Sequence, residues 1–391
     1  MQETESGGPM FKIIQNGKVY SPDDLGQKDI LIANDTILSV EDHVSTNFPF
    51  PVEVYDATGK MILPGIIDPH VHFIGGGGSS GLNSRTKEIA IEKIVEAGVT
   101  TAVGCLGFDR TSRTLKALLL KTRGLEEAGM TAFMLTGSYS LPSLTITGSV
   151  EEDLILIDKV IGVKLALGET LANSPEIRDI RNLLAECLRG AHLGGKAGFL
   201  QIHMGVQGKV WKKPFMEILR ELKIPFSQVV FTHVNRSLDT LEEFMEYVQA
   251  GGYIDLTASY TPAERPGSLP VLESLQRLVR AGIPLDHVTM SSDSNATRML
   301  PDKRIKYLPI QTIFQVTKEL WQSDEITRPQ VVRFVTDNPA KALGLGRVKG
   351  RLEPGKHADL IIIQEPFELD GVMLKGKWAR KDGQTLIHDP F

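Results

Sequence analysis

Eight short apolar segments alternate with amphipathic stretches across residues 65–295, and this alternation constrains the fold more than any other feature. The segments are rich in apolar and β-branched residues, which is typical of strands buried on both faces of a parallel sheet. Eight such units over ~230 residues favour a (β/α)₈ TIM barrel over an open doubly wound sheet. The predicted strands are Gly65–Phe73, Thr100–Gly107, Ala132–Tyr139, Val160–Leu167, Gly198–Gly205, Val229–Asn235, Gly252–Ser259 and Val288–Asn295. The predicted helices between them include Arg85–Ala97, Thr111–Ala128, Pro175–Ala191, Pro214–Leu222 and Leu238–Ala250.

Both ends of the chain have a different pattern, with short alternating segments separated by turn residues. Phe11–Tyr20 surrounds an Asn-Gly pair and is interpreted as a hairpin. Arg328–Leu343 is predicted as one further helix. We therefore expect a small β-sandwich domain built from residues 11–64 and 346–391, a barrel over 65–345 and a flexible extension over 1–10. The remaining predicted end strands are Asp29–Ala33, Thr36–Val40, Val52–Tyr55, Asp359–Gln364, Gly371–Lys375 and Lys377–Lys381.

Composition restricts the partners that the chain can have. The net charge is −5, so no basic field favours nucleic acid or an anionic membrane. No apolar run approaches the ~18 residues of a membrane span. The only two cysteines, Cys105 and Cys187, form neither a CxxC pair nor a disulfide framework, which favours a reducing, cytoplasmic setting. We expect a small-molecule substrate, no nucleic-acid or membrane partner, and a homo-oligomer.

Candidate metal ligands stand at the ends of the predicted barrel strands. His70 and His72 are two residues apart, so their side chains project from the same face of a strand. Each candidate alone is more often a hydrogen-bonded core residue. Because side chains at the carboxyl ends of barrel strands meet in one place, the set predicts a metal site. Its members are His70, His72, His203, His233 and Asp293, with Lys164 in the fourth strand.

Lys164 needs a separate explanation, because an ammonium repels metal ions. One interpretation is a buried ion pair with Asp293 or another acid. The other is a carbamate formed from carbon dioxide, whose two oxygens can bridge two cations. The glycine run Gly75–Gly78 lacks a phosphate-loop pattern, and we interpret it as a mobile loop over the site in which glycine allows close backbone approach to a ligand.

Several motifs together resemble the amidohydrolase superfamily and, within it, the isoaspartyl dipeptidase family. The motifs are DPHVH at 68–72, Lys164 in the fourth strand, HMG at 203–205, THVNR at 232–236, SSDSN at 291–295 and GRLEPGKHADLIII at 350–363. The stretches HVHFIGGGG, MLTGSYSLPS, TITGSVEEDL and GGKAGFLQIHMG carry the resemblance to the dipeptidases. The similarity extends over nearly the whole chain after the first ten residues.

The resemblance implies a centre with two zinc ions or similar divalent metals. His70, His72 and Asp293 would bind one metal, His203 and His233 the other, and a carbamate on Lys164 would bridge them. A hydroxide between the metals would attack an amide carbon, with Asp293 as the general acid and base. Tyr139 matches the residue that polarises the scissile carbonyl, and Arg236 matches one that binds a substrate carboxylate.

The residues matched to substrate contacts depart from the dipeptidase pattern. Gly77 and Gly78 keep it, whereas Ser79 stands in place of a glutamate that holds the substrate amine. Phe108 replaces a small polar residue, Leu171 replaces a second arginine, and Thr297 replaces a serine. Glu169 or Arg85 could substitute for the missing charges. The substrate implied is a dipeptide or acyl amino acid with a carboxylate, with specificity altered from that of the family.

Two other readings stay open. A cyclic amidase of the dihydroorotase or hydantoinase kind would share the two-metal arrangement, so the ligands do not distinguish it from a dipeptidase. A non-catalytic scaffold of the same fold would be expected to lose ligands, and none of the matched ligands is missing.

Overall fold

A computed structural model describes residues 10–170 and 172–389 of the 391-residue chain. Strands from both chain ends form one nine-stranded sheet, and its own core packs around Ile14, Ile32, Ile62, Leu360 and Met373. The strands of its first half are β1 (Phe11–Tyr20), β2 (Asp24–Ala33), β3 (Thr36–Glu41), β4 (Val52–Asp56) and β5 (Lys60–Pro64). The predicted small β-sandwich domain is consistent with this sheet.

Eight parallel strands follow and form the barrel sheet, in which each strand pairs with the next along the chain. They are β6 (Ile66–Val71), β7 (Val99–Gly104), β8 (Thr131–Gly137), β9 (Val160–Leu167), β10 (Phe199–Met204), β11 (Val229–Thr232), β12 (Tyr253–Thr257) and β13 (Val288–Ser291). The barrel closes where Val71 bridges Ser294 and the Ser292 amide donates to Asp68 Oδ1 at 3.2 Å. The predicted α/β barrel is therefore confirmed.

Helices cover the outside of the barrel and bury their apolar faces against it. They are α1 (Ile91–Val95), α2 (Leu115–Glu127), α3 (Val150–Leu156), α4 (Ile177–Gly194), α5 (Lys212–Glu221), α6 (Leu238–Gln249), α7 (Val271–Arg280), α8 (Gln311–Trp321), α9 (Arg328–Val335) and α10 (Asp337–Ala342). A short hairpin, β14 (Thr297–Met299) and β15 (Ile305–Tyr307), follows the last barrel strand. The chain then returns to the end sheet through β16 (Leu360–Gln364), β17 (Glu368–Leu374), β18 (Lys377–Lys381) and β19 (Gln384–Thr385). The antiparallel pairing of β16 with β5 joins the strands from the two chain ends into one sheet.

Three local predictions were wrong. Residues 11–20 form one strand with a bulge, because Asn16 takes a left-handed φ of 62° and its amide donates to Asp29 Oδ1, so both halves pair with β2. The predicted helix Arg328–Leu343 is two helices, α9 and α10. In one continuous helix the Pro339 ring would clash with the carbonyl group of Val335, four residues earlier, so the first helix ends there. Most of Arg85–Ala97 is not helical, because its first half forms hydrogen bonds with the glycine run.

The structure does not test two other predictions. Residues 1–9 of the predicted extension and Leu171 lie outside the described residues. The domain boundaries at 64/65 and 345/346 stay a proposal. No helix in the described part of the chain is both long and apolar enough to cross a lipid bilayer.

Candidate metal centre and substrate cleft

The candidate ligands gather at the carboxyl ends of the barrel strands. His70 and Lys164 lie within β6 and β9, and His203 lies within β10. His233 and Asp293 come just after β11 and β13, and both take left-handed backbone conformations, with φ of 70° and 51°. This conformation is costly for residues other than glycine, and its use here turns both side chains toward the barrel axis rather than along the strand.

Five of the six candidate side chains form two groups that contact each other. Asp293 Oδ1 lies 3.6 Å from His70 Nε2 and 3.4 Å from His72 Nε2. His233 Nε2 lies 2.8 Å from His203 Nδ1. The rings of His70 and His233 join the groups, with centroids 5.2 Å apart. Donor atoms of His70, His233 and Asp293 all lie within 4.8 Å of one another, so the predicted set converges in one place.

Lys164 is fully buried and lies beside this cluster. Its Nζ is 2.9 Å from His70 Nε2 and 3.0 Å from Cys105 Sγ. Within residues 10–170 and 172–389, no carboxylate lies within 4.0 Å of it, so it forms no ion pair with Asp293 or another carboxylate there, and the acidic group beside it is the Cys105 thiol. A buried ammonium without a carboxylate partner costs several kcal/mol. A carbamate at this nitrogen would replace that positive charge with a negative one.

The donor chemistry fits a divalent metal pair. Imidazole and carboxylate ligands suit zinc and its neighbours. His70 Nδ1 is buried without a hydrogen-bond partner among the described residues. Burial lowers the pKa of His203 to about 4, and burial, with His203 close by, holds the pKa of His233 well below its usual value. These two histidines are therefore neutral, which metal ligation requires.

In Asp293 and His72, neighbouring groups outweigh burial and favour the charged form of the side chain. Burial favours protonation of Asp293, but His233, the hydrogen bond from His72 and the charge of His70 lower its pKa well below the usual range. Burial would lower the pKa of His72, yet Cys105 and Asp293 raise it to about 9. A metal binding at His72 would thus have to displace a proton.

Cys105 was missed by the sequence reasoning. It is buried one residue beyond β7, and its Sγ lies with donor atoms of His70 and His72 inside a 4.8 Å group. Burial raises the pKa of its thiol, but His70, Lys164 and His72 outweigh burial and lower it well below the usual value. The available signal was its position at a strand end, the same signal that identified the histidines.

Tyr139, Arg236 and Glu169 surround the outer nitrogen of His203. His203 Nε2 lies 3.3 Å from Tyr139 Oη, 3.0 Å from Glu169 Oε1 and 3.4 Å from Arg236 Nη2. Arg236 Nη1 also pairs with Glu169 Oε1 at 3.2 Å. Burial, with Glu169 and Asp293, raises the pKa of Tyr139 well above its usual value, so the phenol keeps its proton. Glu169 therefore supplies a carboxylate to the cleft, as the sequence allowed.

A cleft of about 330 Å³ opens above these groups. Of the predicted substrate contacts, Gly77, Ser79, Phe108 and Thr297 line it, and Gly78 faces an adjoining outer pocket. Thr297 Oγ1 already donates to the Ser84 carbonyl at 2.8 Å. Arg85 pairs with Asp109 at 3.0 Å and lines the outer pocket, so it does not supply a charge here. Tyr260, Arg265 and Arg298 are among the lining residues that the sequence reasoning missed.

The glycine run is held by its neighbours. Arg113 Nη1 donates to the Gly76 carbonyl at 2.8 Å, and the Gly76 amide donates to the Asn295 carbonyl at 2.8 Å. Gly77 has a φ of 77°, and a Cβ there would lie 2.1 Å from the Ser84 carbonyl oxygen. The close approach at Gly77 is to the neighbouring loop, and the predicted approach of these glycines to a ligand stays a prediction.

Comparison with known proteins agrees with this geometry. Residues 61–379 match the amidohydrolase family. The chain therefore belongs to the amidohydrolase family. The chain is similar to a β-aspartyl dipeptidase from Fervidobacterium islandicum AW-1, solved in complex with β-Asp-Leu dipeptide. The two are 35% identical with a TM-score of 0.89, over 98% of this chain and all of that one.

More distant relatives have other activities. A dihydroorotase from Pelotomaculum thermopropionicum is 22% identical, over 98% of this chain and 96% of its own length. An L-hydantoinase from Arthrobacter aurescens is 16% identical with a TM-score of 0.72, over 96% of this chain and 97% of that one, which shows the fold alone. The relatives therefore support a metal-dependent amidohydrolase and leave its substrate to be established.

Proposed function

We propose that this chain is a metal-dependent hydrolase of an isopeptide amide bond, of isoaspartyl dipeptidase type. The observation that carries the proposal is the convergence of His70, His72, His203, His233 and Asp293 around a buried Lys164. The 35% identity with a β-aspartyl dipeptidase supports the choice of substrate class.

The contacts among the candidate ligands suggest how they would be shared between two metals. His70, His72 and Asp293 would hold one divalent metal, most simply zinc, and His203 and His233 a second. Carbamylated Lys164 would contact both. When bound, the metals would lower the pKa of a water molecule and polarise the amide carbonyl.

The protein's own groups would handle the protons and the carbonyl. Asp293 is held ionised, so it can accept a proton from the attacking water and return it to the leaving amine. Tyr139 keeps its proton and can donate a hydrogen bond to the carbonyl oxygen as negative charge develops there. Both groups face one cleft, as a single-site mechanism needs.

Substrate specificity would depend on the other residues that line the cleft. Arg236 would bind a substrate carboxylate through its planar fork. Ser79 offers no charge to a substrate amine, so ordinary β-aspartyl dipeptides should be poor substrates unless Glu169 holds the amine instead. Glu169 already accepts from Arg236 and His203, which leaves it less available for that role.

A cyclic amidase is the second candidate, and the dihydroorotase relatives favour it. The cytoplasmic location and homo-oligomeric state remain predictions. Both cysteines are free in the described chain, which agrees with a reducing compartment.

Metal content and a substrate panel test the proposal together. We expect close to two divalent metals per chain after reconstitution with zinc and bicarbonate, measured by elemental analysis. His233→Ala should lose part of that metal, while His192→Ala, an exposed histidine on α4, should keep it. The panel compares β-Asp-Leu, an N-acylated β-aspartyl dipeptide, dihydroorotate and a hydantoin. No bound metal would refute the site, and turnover of the cyclic substrates alone would favour the second candidate.

A further inference from the structure

Three arginines surround one buried tyrosine on the wall of the cleft. Tyr260 is 3% exposed and follows β12. The guanidinium carbons of Arg236, Arg265 and Arg298 lie 5.9, 5.2 and 4.7 Å from its ring centroid. All four residues line the cleft. A tyrosine ring can attract one guanidinium by about 0.5–2 kcal/mol, but it does not cancel three positive charges.

Two of the arginines have partners. Arg236 pairs with Glu169 at 3.2 Å. Arg298 donates to the Ser259 carbonyl at 2.7 Å and to Ser259 Oγ at 2.8 Å, and Glu264 lies 3.7 Å away. Their guanidinium groups are therefore fixed by the protein before any substrate binds.

Arg265 differs from both. In the described ranges, its guanidinium has no carboxylate within 4.0 Å and no hydrogen-bond acceptor, and its side chain contacts the Tyr260 ring. Burial lowers its pKa, with Arg236 and Arg298 adding to the effect and Tyr260 and Glu169 opposing it. A half-buried guanidinium with five N–H donors and no protein acceptor can therefore bind an anion that enters the cleft.

We propose that Arg265 binds a second carboxylate, so that the preferred substrate carries two carboxylates rather than one. This rests on the proposed isopeptide hydrolase function, which it extends. A β-aspartyl dipeptide has two such groups, the α-carboxylate of its aspartate and its carboxyl terminus. Arg236 would take one and Arg265 the other. Arg265, on the loop after β12, would then supply the positive charge that Leu171 lacks.

The charge count of the wall agrees with this assignment. Against three guanidinium groups, the cleft lining offers Glu169 and the metal-facing Asp293. Glu169 pairs with Arg236 and Glu264 lies 3.7 Å from Arg298, so among the three it is Arg265 that lacks a protein counter-charge. Guanidinium groups suit carboxylates because two parallel N–H bonds match the two oxygens, and packing on Tyr260 limits the orientations of the fork.

The test crosses substrate and enzyme variants. The substrates are β-Asp-Leu and its two mono-amides, one at the α-carboxylate and one at the carboxyl terminus. For wild type, one amide should lower kcat/KM by about 10- to 100-fold through the loss of the Arg265 contact. In Arg265→Gln that particular loss should disappear, and Arg265→Lys should keep part of it. Arg304→Gln, an exposed arginine paired with Asp302, is the matched control and should behave as wild type.

A binding measurement separates this inference from the proposed function. Calorimetry on the zinc-loaded protein compares succinate, which has two carboxylates, with succinamate, which has one. If wild type cleaves no β-aspartyl substrate, the proposed function fails, yet a preference for succinate that Arg265→Gln abolishes would still support the second carboxylate site. If Arg265→Gln keeps the wild-type preference in both assays, while its circular dichroism is native, Arg265 does not bind the carboxylate.

Discussion

The two walls of the cleft are built differently. On one wall, His70, Lys164 and His203 project from barrel strands, and His233 and Asp293 stand at the first turns beyond them. On the other wall, Ser79, Arg265 and Arg298 stand on loops and a short hairpin. The strand wall holds the residues that we matched to the family's metal ligands, whereas Ser79 on the other wall departs from the matched pattern. A barrel can thus keep one reaction while its loops change the molecules admitted to it.

The largest effect should come from Lys164→Ala on the strand wall. We expect an inactive protein, because a carbamate there would contact both metals. Short carboxylic acids such as propionate should restore part of the activity, since they can supply two oxygens in the space left by the side chain. The measurement is kcat at increasing propionate, with metal content determined in parallel. An unmodified amine, by intact mass, in active metal-loaded wild type would exclude the carbamate.

Asp293→Asn should be next in size. The amide keeps the shape of the side chain but cannot carry a proton, so kcat should fall by about 10²–10⁴-fold. The variant should stay folded, which circular dichroism would check. Near-normal turnover would assign proton transfer to another group, with Glu169 the nearest candidate in the cleft.

Tyr139→Phe tests the boundary between the walls and should lower kcat by about 10²–10³-fold, the cost of one donor to a developing oxyanion. The raised pKa keeps the wild-type phenol protonated throughout the range below pH 10, so loss of this donor cannot cause a decline in rate between pH 7 and 9. The kcat–pH profile of both proteins checks this. A wild-type alkaline limb in that range that vanishes in Tyr139→Phe would contradict it.

Ser79→Glu on the other wall should have the smallest effect. A carboxylate at this exposed position in the cleft would attract a substrate ammonium, so kcat/KM for a β-aspartyl dipeptide should rise, while its N-acylated form gains nothing. Ser79→Gln is the matched control, with similar size and no charge. If wild type already strongly prefers the free amine, Glu169 or another group holds it.

The same contrast explains what could be predicted from the sequence. The ligands on the strands could be predicted from the two-residue spacing of side chains on one strand face and from the convergence of strand ends in a barrel. Both depend only on local pattern and barrel geometry. The left-handed turns at His233 and Asp293 could not, because aspartate and histidine adopt that conformation only when tertiary contacts require it. Arg265 was missed for a similar reason. Its surroundings include Arg236, Arg298 and Glu169, which are distant in sequence and share no repeating pattern.

The seam between β6 and β13 has a consequence for the order in which the centre can be completed. Asn295 Nδ2 donates to the His72 carbonyl across the seam, although 223 residues separate the two. At a synthesis rate of about 5–20 residues per second, His72 leaves the ribosome about 10–45 s before Asn295 and the neighbouring Asp293. Through that interval the growing chain has histidines without the carboxylate that completes their donor set. A metal pair held by this donor set would therefore be incorporated only after translation has passed the last barrel strand.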